Sequence, residues 1–311
     1  MRALVTGGAG FIGSHIAERL TAQGHAVRIV DNLSSGRREN MASFASHVEF
    51  VPADIRDAAR LETLAQGCEV VFHEAAIVSV PYSVEHPQET HDTNIQGTLN
   101  VLQAARHAGV RRVVFASSAA VYGDDPEQPK SEAMLPCPIA PYGVEKLTGE
   151  HYLRVFAKLY GVETVALRYF NVFGPRQDPS SAYSGVISIF VDRALSGRPP
   201  TIFGDGSACR DFVFVDDVVA ANLAAATREG ISGQAFNVAC GARTTLKQLL
   251  THLEGITGRA IHAKYEAPRA GDIPVSVADI SLARRLLGYE PRVGVEEGLR
   301  ALVASVSGAR A

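Results

Sequence analysis

A short apolar run at the start of the chain breaks into Thr6-Gly7-Gly8-Ala9-Gly10-Phe11-Ile12-Gly13, and this glycine cluster restricts the fold more than any other feature. It reads as G-x-x-G-x-x-G or, from Gly8, as G-x-G-x-x-G, and both spacings describe a tight turn without Cβ atoms between a strand and a helix. Such a turn lets backbone N–H groups and a helix N-terminus meet a pyrophosphate. Asp31 closes the second apolar run, eighteen residues beyond Gly13, where an acid accepts hydrogen bonds from an adenosine ribose and repels a 2′-phosphate. Cradle and acid together predict a site for NAD in preference to NADP, although the basic pair Arg37 and Arg38 leaves NADP open. A plain tight turn with a solvent-facing Asp is the bland alternative. Asp54, after the third run, either touches the adenine or caps a turn.

The rest of the chain repeats the strand-helix alternation. Apolar runs ending at Val5, Val30, Val51, Phe72, Phe115 and Leu167 predict six buried strands. Three- and four-residue apolar spacing predicts helices over Ile12–Gln23, Asp57–Ala65, Val84–His107 and Pro141–Tyr160. The expected fold is α/β, a Rossmann-type doubly wound parallel sheet. After Phe170 the texture changes: glycine and proline surround one amphipathic segment, Ser184–Leu195, before Phe212–Val215 and Ala235–Val238 read as strands again. The expected division is a dinucleotide-binding domain over residues 1–168 and 211–240, and a smaller C-terminal α/β substrate lobe over 169–210 and 241–311.

Composition narrows the partners. A formal charge of −3 over 311 residues argues against nucleic acid or an anionic membrane as the main target, so any anion must be held locally. Four separated cysteines with no C-x-x-C pair argue against a disulfide framework and a zinc site, and His73, His86, His91 and His107 match no zinc spacing, so no metal is expected. No window approaches 18 uninterrupted apolar residues, and the N-terminus reaches glycine before a signal core forms; a cytoplasmic location is expected.

Tyr142-Gly143-Val144-Glu145-Lys146 places a phenol and an ammonium on one helical face, where the cation stabilises a phenolate. Ser117 and Ser118 end the fifth strand at the carboxyl edge of the sheet, where a serine can hydrogen-bond a substrate hydroxyl beside the tyrosine. The bland alternative is an amphipathic helix with an exposed Tyr and Lys.

Together with Asp31-Asn32-Leu33, Phe72-His73-Glu74-Ala75-Ala76, Ser117-Ser118-Ala119-Ala120-Val121-Tyr122-Gly123 and Leu167-Arg168-Tyr169-Phe170-Asn171, these motifs resemble the extended short-chain dehydrogenase/reductase family over nearly the whole chain. Within it the chain is most similar to the UDP-hexose 4-epimerases. The resemblance implies that Tyr142 removes the proton of a sugar 4-hydroxyl while NAD takes the hydride from the same carbon. The 4-keto sugar then turns over and receives the hydride on its other face. Lys146 would hold the nicotinamide ribose and tune Tyr142, and Ser118 would bridge to the 4-oxygen. Cofactor contacts implied in the same way are Gly7, Gly10, Phe11, Ile12, Gly13, Asp31, Asn32, Asp54, Ile55, Ala75, Ala76, Asn94, Tyr142, Lys146 and Tyr169.

On the substrate side, Asn171 would face the sugar diphosphate. Gly204 to Phe212 resembles the family's G-D-G-x-x-x-R-D-[FY] segment, whose arginine, here Arg210, grips the diphosphate. Arg269-Ala270-Gly271-Asp272 resembles R-x-G-D, in which the arginine meets phosphate and the acid meets the uridine ribose. Gly185, Val186, Thr201 and Phe203 align with positions lining the nucleotide pocket. Ser276 stands where epimerases restricted to glucose and galactose often carry tyrosine, and a small residue leaves room for a 2-acetamido group. The expected substrates are therefore UDP-N-acetylglucosamine and UDP-N-acetylgalactosamine, with UDP-glucose and UDP-galactose left open.

A nucleotide-sugar 4,6-dehydratase or decarboxylase competes with this reading, but Ala119 and Ala120 stand where dehydrating relatives usually place an acid pair. A non-catalytic dinucleotide sensor also competes, against which the intact Ser118, Tyr142 and Lys146 weigh. Surplus apolar residues on the Val84–His107 and Pro141–Tyr160 helices, including Tyr152, Val155, Phe156 and Leu159, predict a homodimer through a four-helix interface.

Overall fold

The computed structural model describes residues 1–178, 185–268 and 273–308. The six apolar runs form β1 (Arg2–Thr6), β2 (Ala26–Asp31), β3 (Val48–Pro52), β4 (Val70–His73), β5 (Arg112–Ser118) and β6 (Glu163–Tyr169). All pair in parallel, and Gln234–Val238 adds a seventh strand beside β6, giving the order β3-β2-β1-β4-β5-β6 followed by Gln234–Val238. Buried side chains alternate between the faces, as a sheet covered on both sides requires. Leu4, Val71, Val113 and Phe115 pack under Leu61, Val101, Leu153 and Phe156 on one face. Val5, Phe72, Val114 and Leu167 pack under Ile16, Leu20, Val218 and Val219 on the other. The strand order reverses between β1 and β4, and crevices at the carboxyl ends of strands flanking such a reversal are where open α/β sheets bind ligands.

Helices form at Phe11–Ala22, at Ala58–Ala65 behind an Asp57 cap, and at Pro141–Tyr160 with proline in its first turn. The expected single helix over Val84–His107 differs. The segment begins earlier, as Val80–Glu85, breaks at His86 before Pro87–His91, passes through a wider π-helical turn at Asp92–Gln96, and only then runs as Gly97–His107. Pro87 lacks the N–H that a continuous helix needs, and this forces the break.

A further core has Phe173, Ile187, Phe190, Ile202, Leu249, Leu253, Leu299 and Leu302 at its centre. Phe212–Phe214 pairs with Asn171–Phe173, outside the seven-stranded sheet, and Phe212 and Phe214 pack into this second core. The following helix, Val215–Thr227, returns to the main sheet through Val218, Val219 and Ala221. Ala283 and Leu287 of the Ser281–Leu287 helix also pack into the main core. Among the described residues no helix is long and apolar enough to cross a membrane.

Candidate active site

The glycine turn after β1 has no room for side chains. Gly7 sits at φ +68°, and a Cβ there would lie 2.7 Å from the Ala75 nitrogen. A Cβ on Gly13 would lie 2.3 Å from the Gly7 oxygen. Gly10 caps the Phe11–Ala22 helix with no side chain, so the N–H groups of Phe11, Ile12 and Gly13 have no partner within the helix. A turn closed to Cβ atoms and edged by backbone donors fits the pyrophosphate of NAD.

Asp31 sits beside this turn. Its carboxylate accepts from the N–H of Ala9 at 3.0 Å and of Leu33 at 2.7 Å, and burial raises its pKa. Arg37 pairs with Asp178, and the Arg38 guanidinium lies over the Phe50 ring at 4.7 Å, so the basic pair that left NADP open is engaged elsewhere. Asp54 accepts from Arg56 at 2.9 and 2.7 Å and from Asn32 at 2.9 Å. Those bonds, Arg56 foremost, hold its carboxyl well below the usual range. Ile55 is buried beneath Gly97, where a Cβ would come within 2.5 Å of the Ile55 Cδ1.

Beyond β4, Glu74 leads into Ala75 and Ala76, and Ala75 lies directly against Gly7. The next residue, Ile77, is clamped by Asn94: its N–H donates to Oδ1 at 2.8 Å and its carbonyl accepts from Nδ2 at 2.9 Å. Asn94 Nδ2 also donates to Glu145 at 2.6 Å, and Thr90 donates to the other Glu145 oxygen at 2.6 Å. Asn94, expected as a cofactor contact, thus has its amide committed to bracing the Ala75–Ile77 segment against the Pro141–Tyr160 helix.

That helix presses close to the sheet through glycine. A Cβ on Gly149 would lie 2.6 Å from the Phe115 ring, and one on Gly143 would lie 2.7 Å from the Ala120 oxygen. The close approach brings Tyr142 and Lys146 over the end of β5. Ser118 stands beside the Tyr142 phenol and draws its pKa down, with its Oγ accepting from the Ala120 N–H at 3.1 Å, and the Tyr142 N–H donates to Ser83 Oγ at 3.1 Å. Lys146 Nζ donates to the Ala116 carbonyl at 2.7 Å and lies 5.7 Å from the centre of the Tyr142 ring. Burial pushes Tyr142 up to about 12 and Lys146 down to about 8. An ammonium, a phenol and a hydroxyl that share one buried strand end can move a proton to and from a substrate hydroxyl.

Two further groups lie beside this trio: the half-buried Glu74, which the sequence did not single out, and the buried His73, which it weighed only against a zinc spacing. Glu74 accepts from the Tyr169 phenol at 2.9 Å, and Tyr169 accepts from Asn222 at 2.7 Å. His73 turns to the other face, bonded to Thr6 at 2.8 Å and Thr98 at 3.0 Å, and burial lowers its pKa to about 3. Both stand in the Phe72–Ala76 motif, but an acid at a strand end carries no sequence signal of burial.

Outside the seven-stranded sheet, Cys209–Arg210 lies between Thr244–Thr245 and Val275–Ser276 in a three-stranded patch. Arg210 and Ser276 are direct neighbours in register. Asn171 donates through its side chain to the Asp211 carbonyl at 3.1 Å. The Asp211 carboxylate accepts from the N–H groups of Cys240, Gly241 and Ala278 at 2.8, 2.9 and 3.2 Å, and burial lifts its pKa to about 6. Gly185 and Val186 form the N-terminus of Val186–Ser196, while Thr201 and Phe203 belong to a strand paired with Lys264–Glu266. Arg269 and Asp272 lie outside the described residues. Among the described residues no group of three or more His, Cys, Asp or Glu is placed to hold a metal.

A family model described as the NAD dependent epimerase/dehydratase family matches residues 3–239. The UDP-glucose 4-epimerase of Mycolicibacterium smegmatis is 46% identical over 303 residues, covering 96% of this chain and 96% of that protein. The solved structure of the Thermotoga maritima UDP-glucose 4-epimerase with UDP-glucose is 42% identical, covers 100% of both chains and superposes with a TM-score of 0.95. The UDP-N-acetylglucosamine 4-epimerase of Methanobrevibacter ruminantium, solved with UDP-N-acetylmuramic acid, is 39% identical over 99% of this chain and 98% of that one, also with a TM-score of 0.95.

Proposed function

The chain belongs to the NAD dependent epimerase/dehydratase family, and from that premise we propose that it inverts C4 of UDP-N-acetylglucosamine and UDP-N-acetylgalactosamine, with UDP-glucose and UDP-galactose as further substrates. It is an NAD-dependent isomerase of the UDP-sugar 4-epimerase type. The observation that carries the reaction is the convergence of Ser118, Tyr142 and Lys146 at the end of β5, beside a turn shaped for a pyrophosphate.

When bound, NAD supplies a hydride acceptor that also returns the hydride. The protein's part is proton handling and orientation. Tyr142 accepts the proton of the sugar 4-hydroxyl and gives it back, Ser118 holds the same oxygen, and the Lys146 charge stabilises the phenolate. The N–H groups of Phe11, Ile12 and Gly13 and the Asp31 carboxylate seat the cofactor, with Ala75, Ala76 and Tyr169 beside them. Arg210 and Asn171, joined by Arg269, Asp272, Gly185, Val186, Thr201 and Phe203, form the nucleotide-sugar side. Arginine suits that task because its planar fork matches phosphate oxygens.

The preference for acetylated sugars rests on Ser276. Its short side chain stands next to Arg210, where a phenol would fill the space a 2-acetamido group needs. Proton NMR of the protein with UDP-N-acetylglucosamine or UDP-glucose tests both levels: the anomeric signal of the 4-epimer should appear with each sugar. Ser276→Tyr should depress turnover of the acetylated pair about tenfold or more while sparing UDP-glucose. Equal losses on both sugars would remove Ser276 from the argument.

A homodimer is part of the reading. Val155 and Leu159 are exposed, as are Val80, Val84 and Val144 on the same group of helices, whereas Phe156 lies in the core and Tyr152 packs against it. This apolar strip is continuous with a groove between Pro87, His91, Ile95 and Ile139, and covering it would remove it from water. Light scattering should give twice the chain mass.

A further inference from the structure

Glu74 is a carboxylate that the proposed proton handling does not use. It is the first residue beyond β4, and extending the pairing of His73 with Phe115 by one step sets it beside Ala116, whose carbonyl holds Lys146 Nζ at 2.7 Å. Glu74 shares a face with Phe72, Ala116 and Tyr169, and the small Ala116 side chain lets it reach across β5 to the Tyr169 phenol at 2.9 Å. Asn222 donates to Tyr169 at 2.7 Å, and its own Oδ1 is buried with no partner among the described residues. That orientation leaves the Tyr169 proton for Glu74, so the chain of donors ends on this carboxylate.

We propose, building on the epimerase reading above, that Glu74 is a positioning residue whose ionised carboxylate, held by Tyr169 and Asn222, keeps the Lys146 ammonium charged behind Tyr142. Burial works against that charge, and Glu74 opposes it ahead of Glu145, the other carboxylate facing Lys146. For Tyr142 the order is reversed, and Glu145 disfavours the phenolate more than Glu74 does. Burial lifts the Glu74 carboxyl to about 7, while the Tyr169 bond and Lys146 draw it back. The groups facing Glu74 are therefore Lys146 and Tyr142 from the Pro141–Tyr160 helix, Tyr169 from β6, and the uncharged Asn222 from Val215–Thr227; His73 faces away.

The test is Glu74→Gln, which keeps the shape and an acceptor for Tyr169 but removes the charge. Rates with UDP-N-acetylglucosamine and UDP-glucose are measured from pH 6 to 9 with NAD supplied. The alkaline limb of kcat, where Lys146 loses its proton, should move down by about one pH unit, so that kcat at pH 8 falls about fivefold. The difference should close at pH 6, where Lys146 is charged in both proteins, and KM should change less than about twofold. Glu74→Asp should restore the limb. Tyr169→Phe, which loses the bond that favours ionised Glu74, should shift it in the same direction by less, and by nothing further in a Glu74→Gln background; this variant decides the matter if Glu74→Gln does not fold. A kcat ratio constant across pH, or a limb unmoved in both variants, overturns the proposal. Failure of the unmodified protein to epimerise either sugar overturns the epimerase reading instead.

Discussion

Replacing Glu150 alone should destabilise the protein far more than replacing Glu150 and Arg168 together. Both side chains are 1% exposed, and the guanidinium donates to the two carboxylate oxygens at 2.8 and 2.7 Å. Ser117 donates to the same carboxylate at 2.6 Å, and Arg168 also donates to the Tyr122 phenol at 2.9 Å. Glu150→Met leaves a buried guanidinium without its counter-charge, which costs about 3–5 kcal/mol. An unfolding entropy of ~2.1 cal/mol/K per residue gives about 0.65 kcal/mol/K for a chain of this length, so Tm should fall roughly 5–8 °C. Arg168→Met should cost a similar amount by stranding the carboxylate. In the double variant two methionines replace the pair with apolar volume, and the loss should shrink to about 1–2 kcal/mol. Tyr122 keeps its bond to Asn237 at 2.6 Å, and Ser117 is the one donor left in need of a partner. The assay is urea unfolding of the four proteins at one protein concentration and one NAD concentration, since association and cofactor both shift the midpoint. A double variant whose loss equals the sum of the singles would refute the reasoning, because the pair would then behave as two independent side chains.

Gly149→Ala places a methyl group against the Phe115 ring, lifting the helix that carries Tyr142 and Lys146; kcat should fall at least about tenfold and stability by about 1–3 kcal/mol, read from turnover and urea unfolding. Asp31→Ala removes the acceptor beside the glycine turn and should weaken NAD binding by about tenfold or more, measured by fluorescence titration. His73 is buried neutral with a pKa near 3 against 6.5 unfolded, so below pH 6.5 the unfolded chain binds the extra proton and the His73 contribution to stability falls. That contribution should drop by about 2 kcal/mol between pH 7 and pH 5, read as the difference in pH slope between the unmodified protein and His73→Gln, because the raised carboxyls of Glu74 and Asp211 act in the opposite sense over the same range in both proteins.

The glycine turn, the six strands and the Tyr142–Lys146 helix were legible because each obeys a local rule: no Cβ where chains cross, continuous apolar runs where both faces are covered, and a four-residue spacing for one helical face. Pro141–Tyr160 forms over the predicted residues, since proline opens it and Gly161 at φ +71° closes it. The helix after β4 was misread because apolar periodicity continues through a break made by Pro87 and a wider turn. Phe212–Phe214 was recognised as a strand but not as part of a separate pair with Asn171–Phe173, because strand propensity does not name a partner. The contacts of Asp54, Asn94 and Glu74 depend on residues such as Asn32, Glu145 and Tyr169 that only folding brings near, so the family motif marked their positions without revealing what they touch.

The wide turn at Asp92–Gln96 acts as a spacer of fixed length. It holds one residue more than an α-helical turn, and at about 3.6 residues per turn each residue added or removed rotates everything beyond it by about 100°. Asn94 sits in that turn facing Ile77 and Glu145, while Val101, Leu102 and Ala105 further on face the core. Deleting one residue would smooth the helix and leave either Asn94 or those three pointing the wrong way. Side chains in this segment can therefore be exchanged more freely than its length can be altered.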